Sequence, residues 1–372
     1  MFKNRKQSIL ILAVLCMTSL SLSAQYKTLE IGQKAPDFNL PGVDGRNYKL
    51  SDFAKADVLV IIFTCNHCPT AQAYEGRIKK LAADYKDKGV ALVAISPNDP
   101  KAVRLDELGY SDMGDSFEDM TIRAKDMKYN FPYLYDGENQ KVSLAYGPVS
   151  TPHVYIFDRQ RKLRYIGRID DSEKPHLVKT EDARNAIEAL LKGNKVPVEE
   201  TPTIGCSIKW SEKRESARRS LEMWAREEVT LEMADAKSTK ELIKNDSGKL
   251  RLINIWANWS EPSVQQLQEF VTMNRMYRRR DFELITISAD SPTRRSRVFS
   301  SLKKQQVSTR NFLFNSNNKY ELMEAIDKDL ICGVPCTILI QPGGKVIYRK
   351  VGTIEPLEVK KAVVGYLGRY YK

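Results

Sequence analysis

Two cysteines separated by two residues are the part of this sequence best suited to chemistry. Cys65 and Cys68 enclose Asn66 and His67, directly after an apolar run and before a helical pattern. At the start of a helix, free backbone N–H groups and the positive end of the helix dipole favour a thiolate. His67 can add positive charge or a hydrogen bond. The pattern predicts a redox-active disulfide in which Cys65, the more exposed thiol, attacks and Cys68 resolves the mixed disulfide.

The elements that must position these cysteines occur twice along the chain. The order strand, helix, strand, helix, hairpin, helix runs from 58 to 193 and again from 250 to 368. Alternating strands and helices are typical of a sheet with helices on both faces. The sequence therefore predicts an α/β protein with two tandem domains, each a mixed central sheet flanked by helices. The expected boundaries are 27–200 for the first domain, 201–215 for a linker and 216–372 for the second domain.

The first residues have the layout of a secretory signal peptide. A short basic head is followed by the apolar stretch 8–22 and by small residues up to Ala24. This layout predicts cleavage after Ala24, export to the periplasm and no membrane span in the mature chain. An uncleaved anchor is the alternative, although the stretch is shorter than the roughly 20 residues that a span needs.

The cysteine count and the charge limit the possible partners. The mature chain has an odd number of cysteines, so at least one has no permanent partner. We interpret Cys206 as that lone cysteine, with a relay to the Cys65–Cys68 pair as the alternative.

The net charge is +12, and basic runs occur at 275–280 and 292–297. No nucleic-acid motif accompanies these runs, so a solvated basic face is expected rather than nucleic-acid binding; an anionic partner or a lipid surface is the alternative.

Three motifs carry a resemblance to known families. IGQKAPDFNLPGVDGRNYKLSDF (31–53), the C-N-H-C motif and GCSIKW (205–210) resemble the redoxin branch that contains the AhpC/TSA superfamily and the exported TlpA/ResA-type proteins. The second half resembles the TlpA/ResA type alone. Its stretch WANWSEPS (256–263) is similar to W-A-x-W-C-x-P-C, with serine at both cysteine positions.

The resemblance implies a thioredoxin-like thiol-disulfide oxidoreductase. Its substrates would be protein thiols and disulfides, with an upstream thiol donor and neither a cofactor nor a metal. Thr151 and Pro152 would form the cis-proline loop beside the cysteines, and the backbone of this loop would pair with an extended substrate chain. His153 would lie near the sulfurs or be a packed core histidine.

Other functions of the same fold stay open. A peroxiredoxin-like thiol peroxidase would need a threonine or serine three residues before its reactive cysteine, and neither cysteine has one. Arg168 would be its anion-stabilising arginine or a structural residue. TlpA/ResA-type proteins commonly carry a glutamate where this chain has Ala71.

A copper-carrying redoxin of the Sco type would hold Cu(I) with the two cysteines and a histidine, although its cysteines are one residue further apart. A binding protein with a vestigial pair is the last alternative.

The second domain is predicted to be redox-silent. Ser260 and Ser263 cannot exchange disulfides, and this half has no histidine to activate a serine. Pro335 occupies the position of the cis-proline, and Cys336 follows it. Cys332 and Cys336 are expected to be small core residues rather than a disulfide. This domain would bind a partner or form a homodimer.

Overall fold

The computed structural model describes residues 26–326 and 333–371. The predicted signal peptide and Cys332 lie outside these residues, so their predictions stand as made. Within the two described ranges, none of the helices combines the length and the apolar character that crossing a bilayer requires.

A five-stranded mixed sheet forms the centre of the first half, in the order β5 (Tyr133–Tyr135), β4 (Val90–Ser96), β3 (Val58–Phe63), β7 (His153–Phe157), β8 (Leu163–Gly167). β3 pairs parallel with β4 and antiparallel with β7. Every residue of β3 is buried, because helices or loops cover both faces of the sheet. The strands are β1 Asn39–Pro41, β2 Asn47–Lys49, β3 Val58–Phe63, β4 Val90–Ser96, β5 Tyr133–Tyr135, β6 Ser150–Thr151, β7 His153–Phe157, β8 Leu163–Gly167 and β9 Cys206–Ser207; the helices are α1 Pro69–Tyr85, α2 Phe117–Asp126, α3 Lys141–Tyr146 and α4 Asp182–Leu191.

The second half is built around a six-stranded mixed sheet in the order β10 (Glu232–Ala234), β13 (Arg310–Phe314), β12 (Phe282–Ser288), β11 (Leu250–Trp256), β14 (Cys336–Ile340), β15 (Val346–Val351). β11 is also buried throughout, parallel to β12 and antiparallel to β14. The strands are β10 Glu232–Ala234, β11 Leu250–Trp256, β12 Phe282–Ser288, β13 Arg310–Phe314, β14 Cys336–Ile340 and β15 Val346–Val351; the helices are α5 Arg214–Ala225, α6 Ala236–Lys244, α7 Glu261–Tyr277, α8 Arg295–Lys304, α9 Lys319–Ile326 and α10 Pro356–Leu367.

Both halves therefore have the thioredoxin-like arrangement that the repeated pattern predicts, which confirms the fold class. Part of the predicted linker between the two halves, 201–215, packs against the first half. β9 pairs antiparallel with β6, and the side chains of Ile208 and Trp210 are buried. Residues 206–210 are thus packed onto the first sheet domain.

The second sheet domain packs against the stretch 103–112 of the first. Leu108 is buried in the core formed by β11, α7 and α10. The Tyr277 hydroxyl donates to the Ser111 carbonyl at 2.8 Å, and Arg280 donates to the Gly109 carbonyl at 3.0 Å. The basic run at 275–280 is therefore not simply a solvated face, because part of it anchors one domain to the other.

Candidate active site

The two cysteines of the C-N-H-C motif lie where β3 leads into α1. Cys68 is the N-cap of α1, and its sulfur accepts a hydrogen bond from the Ala71 N–H at 3.5 Å. Pro69 begins the helix, a position where the missing N–H of proline removes no helical bond. Cys65 is 2% exposed and Cys68 is inaccessible. Both cysteines are thus buried, and Cys65 is only slightly more exposed than Cys68.

His67 is held by a buried carboxylate that no sequence motif indicated. Its Nδ1 lies 2.5 Å from an Asp115 carboxylate oxygen. Asp115 also accepts from the backbone N–H groups of Asn66 and His67, and from the Asn98 side chain at 2.8 Å. The Cys65 sulfur, a His67 ring nitrogen and an Asp115 oxygen lie within 4.8 Å of one another. The site is thus a cysteine–histidine–aspartate arrangement in which the aspartate fixes the imidazole.

The charges of this cluster favour a protonated imidazole. Burial alone would lower the pKa of His67, but the charges of Asp115 and Cys65 and their hydrogen bonds raise it to about 10. Burial likewise opposes ionisation of Asp115, yet the His67 charge and hydrogen bonds hold its pKa below the usual 3.8. An imidazolium beside a cysteine sulfur stabilises a thiolate, which is the form of cysteine that attacks disulfides.

The histidine–aspartate pair should make stability depend on pH in a defined window. The folded-state pKa of His67 lies above its unfolded value near 6.5, so its contribution is full below pH 6.5 and declines as the pH rises toward about 10. The contribution of Asp115 is present above about pH 3.8 and is lost as the pH falls. We therefore expect wild type to have a larger free energy of unfolding than His67→Gln, and this difference should be largest near pH 5 to 6.5. Urea denaturation at a series of pH values measures the difference. A difference that stayed constant up to pH 10 would contradict the prediction.

The Thr151-Pro152 loop lies against the two sulfurs, as the resemblance implied. The Thr151 hydroxyl is 3.1 Å from the Cys65 sulfur, and the Thr151 carbonyl oxygen is 3.5 Å from the Cys68 sulfur. The peptide bond between Thr151 and Pro152 is cis. Thr151 therefore places a hydroxyl beside the Cys65 sulfur and a carbonyl oxygen beside the Cys68 sulfur.

Cys206 is bonded to Cys68 rather than being a lone cysteine, which corrects our preferred interpretation. The two residues are separated by 138 positions, and their Cα atoms are 6.0 Å apart. Cys65 is a free thiol in this state. The Cys65–Cys68 disulfide predicted from the spacing is thus not the one present here. Pairing of β9 with β6 brings Cys206 opposite Thr151, a contact that the spacing of the motifs did not indicate.

Three of the other predicted residues have structural partners. The Asn66 side chain donates to the Gly114 carbonyl at 2.9 Å, which fixes the turn of the motif. His153 hydrogen-bonds through Nδ1 to the Val149 N–H and the Tyr155 hydroxyl. Burial lowers the pKa of His153 to about 3, so this histidine is a neutral core residue. Arg168 pairs with Asp182 at 2.7 Å, which gives it a structural partner at the start of α4.

The degenerate motif of the second domain keeps the same local geometry without thiols. The Ser263 hydroxyl donates to the Ser260 hydroxyl at 2.8 Å, and the Ser260 hydroxyl donates to the Val334 carbonyl at 3.3 Å. The peptide bond before Pro335 is cis, and Cys336 is buried in the core at the start of β14. The two serines bond to each other and to the loop where a disulfide would otherwise lie.

Parts of the chain are similar to known proteins. The AhpC/TSA family matches residues 31–166. The thiol-disulfide oxidoreductase ResA of Geobacillus thermodenitrificans is 23% identical over 166 residues, which cover 43% of this chain and 84% of ResA. The putative peroxiredoxin MT2597 of Mycobacterium tuberculosis is 31% identical over 70 residues, covering 19% of this chain and 45% of that protein. The crystal structure of an uncharacterized conserved protein from Geobacillus kaustophilus is 41% identical with a TM-score of 0.45, and the match covers 50% of this chain and 94% of that one.

The family match and the site coincide. The matched segment includes β3, both cysteines of the motif, Asp115 and the Thr151-Pro152 loop, and it does not extend into the second sheet domain. Together with the relative named as a thiol-disulfide oxidoreductase, it supports the prediction of a thiol-disulfide redox enzyme. Residues 31–166 of the chain are thus similar to the AhpC/TSA family.

Proposed function

We propose that this protein is an exported enzyme that exchanges disulfides with other proteins through Cys65. The observation that carries the proposal is the position of the Cys65 thiol between the His67–Asp115 pair and the Thr151 hydroxyl, which is 3.1 Å from its sulfur. A charged imidazole stabilises a thiolate, and a neighbouring hydroxyl can donate a hydrogen bond to it. Export is supported by the sequence layout of the first residues.

The exchange at Cys65 proceeds by two displacements at sulfur. The Cys65 thiolate attacks one sulfur of a substrate disulfide, forms a mixed disulfide and releases the other substrate sulfur as a thiolate. The Cys68 thiolate then attacks the Cys65 sulfur and releases the second substrate thiolate. Two electrons pass from the cysteine pair to the substrate, which leaves with two thiols after protonation. The reverse sequence oxidises a substrate dithiol.

A turnover assay tests the proposal directly. Wild type supplied with a dithiol should accelerate the reduction of insulin, an accessible protein disulfide, over the dithiol alone. A variant with Cys65→Ser should show no acceleration. Equal rates with and without wild type would overturn the proposal.

Peroxide reduction is a second candidate, which the burial of the site favours. The Cys65 sulfur is only 2% exposed, so a small hydroperoxide reaches it more readily than a folded protein does. The Thr151 hydroxyl beside this sulfur also supplies the hydroxyl that the sequence spacing alone did not. Parallel assays with hydrogen peroxide and insulin separate the two functions, because a rate constant larger for peroxide than for insulin favours the peroxidase.

The cysteine pairing in this structure supports copper binding less well than disulfide exchange. A metal would find Cys65, His67 and Asp115 as its donors, within 4.8 Å of one another. A carboxylate is a hard ligand that Cu(I) does not prefer, and the second soft donor, Cys68, is bonded to Cys206. Titration of the fully reduced protein with Cu(I), compared with Cys65→Ser, tests this alternative.

The second sheet domain is proposed to position the active site of the first, in addition to any role in partner binding or dimerisation. Arg369 donates to both carboxylate oxygens of Asp112, at 2.7 and 2.8 Å, and to the Gln72 side-chain oxygen at 3.1 Å. The Gln72 amide nitrogen in turn donates to the His67 carbonyl at 3.3 Å and to the Tyr110 carbonyl at 3.1 Å. One side chain of the second domain thus supports the turn that carries His67.

Removing this support should slow the reaction without unfolding the protein. We expect Arg369→Met to lower the rate at which iodoacetamide alkylates Cys65 at neutral pH, roughly three- to tenfold, because a loosened Gln72 lets His67 move from the sulfur. Arg369→Lys should restore part of the rate. Lys361→Met is the matched control, since Lys361 pairs with Asp126 across the same boundary at a more exposed position. An unchanged rate and pH profile in Arg369→Met would contradict the positioning role.

A further inference from the structure

We propose that Cys206 is a third redox cysteine, through which an external dithiol delivers electrons to Cys68. This inference rests on the proposed exchange at Cys65 and adds a separate entry point for the donor. Its starting observation is that Cys206, far away in sequence, is bonded to Cys68 while Cys65 remains a free thiol. When Cys68 is bonded to Cys206, the oxidised enzyme still has Cys65 as a thiol that can attack a substrate.

The exposure of the three sulfur-bearing residues separates their roles. Cys65 is 2% exposed and Cys68 is fully buried, whereas Cys206 is partly exposed. A thiol arriving from solvent therefore reaches the Cys68–Cys206 disulfide from the Cys206 side. In-line attack on that sulfur releases Cys68 as the leaving thiolate, at the N-terminus of α1, where the helix dipole favours a negative charge.

The strand that carries Cys206 is built to approach this site. Thr151 lies opposite Cys206 in the antiparallel pairing of β6 with β9. A Cβ atom on Gly205 would lie 2.1 Å from the Thr151 carbonyl oxygen, so only glycine permits this approach. After β9, the Lys209 N–H donates to the Asn98 side chain at 2.9 Å, and this hydrogen bond fixes the end of the segment 205–209 to the first sheet domain. β9 also occupies the loop edge at which an extended substrate is expected to pair, so substrate and β9 compete for Thr151.

The relay can be written with balanced electrons and protons. After Cys65 and Cys68 have reduced a substrate disulfide, the Cys206 thiolate attacks the Cys68 sulfur, forms the Cys68–Cys206 bond and releases Cys65 as a thiolate. One thiolate of an external dithiol then attacks the Cys206 sulfur and releases Cys68. The second thiol of the donor attacks the resulting mixed disulfide and releases Cys206. In total, the dithiol becomes a disulfide and the substrate gains two electrons and two protons.

Peptide mapping under non-reducing conditions tests which bond forms. Full-length protein is oxidised with one equivalent of diamide, alkylated with iodoacetamide and digested. We expect a Cys68–Cys206 linked peptide and alkylated Cys65 in wild type, but a Cys65–Cys68 link in Cys206→Ser. Gly205→Ala, which keeps all three sulfurs, should shift the bond toward Cys65–Cys68. A predominant Cys65–Cys68 link in wild type would overturn the relay.

Kinetics separate failure of the relay from failure of the proposed function. Pre-reduced Cys206→Ser should reduce one equivalent of insulin disulfide at a rate within about twofold of wild type, whereas its multiple-turnover rate with dithiothreitol should fall roughly tenfold, because the donor must then reach a buried bond. Ser207→Ala, on the same strand, is the control. Full multiple turnover by Cys206→Ser would overturn the relay alone. Absence of even a single turnover by wild type would overturn the exchange at Cys65 and the relay with it.

Discussion

Replacing Cys65 by serine should lower the rate constant for substrate reduction by at least about 10³-fold, because a hydroxyl with an ordinary acidity cannot replace the attacking thiolate. The Cys68–Cys206 disulfide should still form in this variant, since neither of its sulfurs is changed. Loss of activity would thus be separated from loss of structure.

The control for this prediction lies in the second sheet domain. Ser260 is the first serine of the degenerate motif, and Ser260→Ala should leave the rate unchanged within about twofold. Stopped-flow measurement of substrate reduction by the pre-reduced proteins gives both rate constants. A Cys65→Ser protein that retained a tenth of the wild-type rate would assign the attack to another cysteine.

Replacing Asp115 by asparagine should have the next largest effect, a roughly 10²-fold loss of rate at neutral pH. The carboxylate charge is a main cause that raises the pKa of His67, while burial lowers it. Without that charge, burial dominates and the ring becomes neutral at pH 7. The imidazolium that stabilises the thiolate of Cys65 is then lost, although asparagine can still accept hydrogen bonds from the motif backbone.

The sign of this effect is best seen in a pH profile. Raising the pKa of His67 to about 10 keeps its imidazole charged between pH 7 and 9, so its effect on the alkylation rate of Cys65 should persist across this range. In Asp115→Asn the imidazole loses that charge, so the alkylation rate should be lower than in wild type across the same range. Asp182→Asn, which removes a carboxylate that pairs with Arg168, serves as the control. Superimposable profiles for wild type and Asp115→Asn would contradict the account.

Much of the fold could be predicted from the sequence, because its signals are local. Fully apolar runs at β3 and β11 identify central strands, and the helix after each motif follows the apolar pattern of its buried face. α1 begins at Pro69, two residues before its apolar pattern starts at Ala71. Local pattern was sufficient here because each of these elements is stabilised mainly by the face it buries.

The site could be predicted only where its residues are close in sequence. The C-N-H-C motif is a short local pattern, and the Thr151-Pro152 loop beside it is implied by the family resemblance. Asp115, 48 positions from His67, gave no signal because a single acidic residue in a charged insertion resembles many surface carboxylates. The pairing of Cys206 with Cys68 depends on β6 meeting β9, a contact between two-residue strands that no periodicity marks.

The central claim is that Cys65 is the thiol that attacks the substrate, and Cys68→Ser combined with Cys206→Ser tests it most directly. This double variant can form the mixed disulfide but lacks both thiols that could resolve it, so the intermediate should accumulate. After reaction with 5,5′-dithiobis(2-nitrobenzoic acid) at limiting concentration, mass spectrometry of the digested protein should find the label on Cys65. A digest in which Cys65 carries no label would contradict the account.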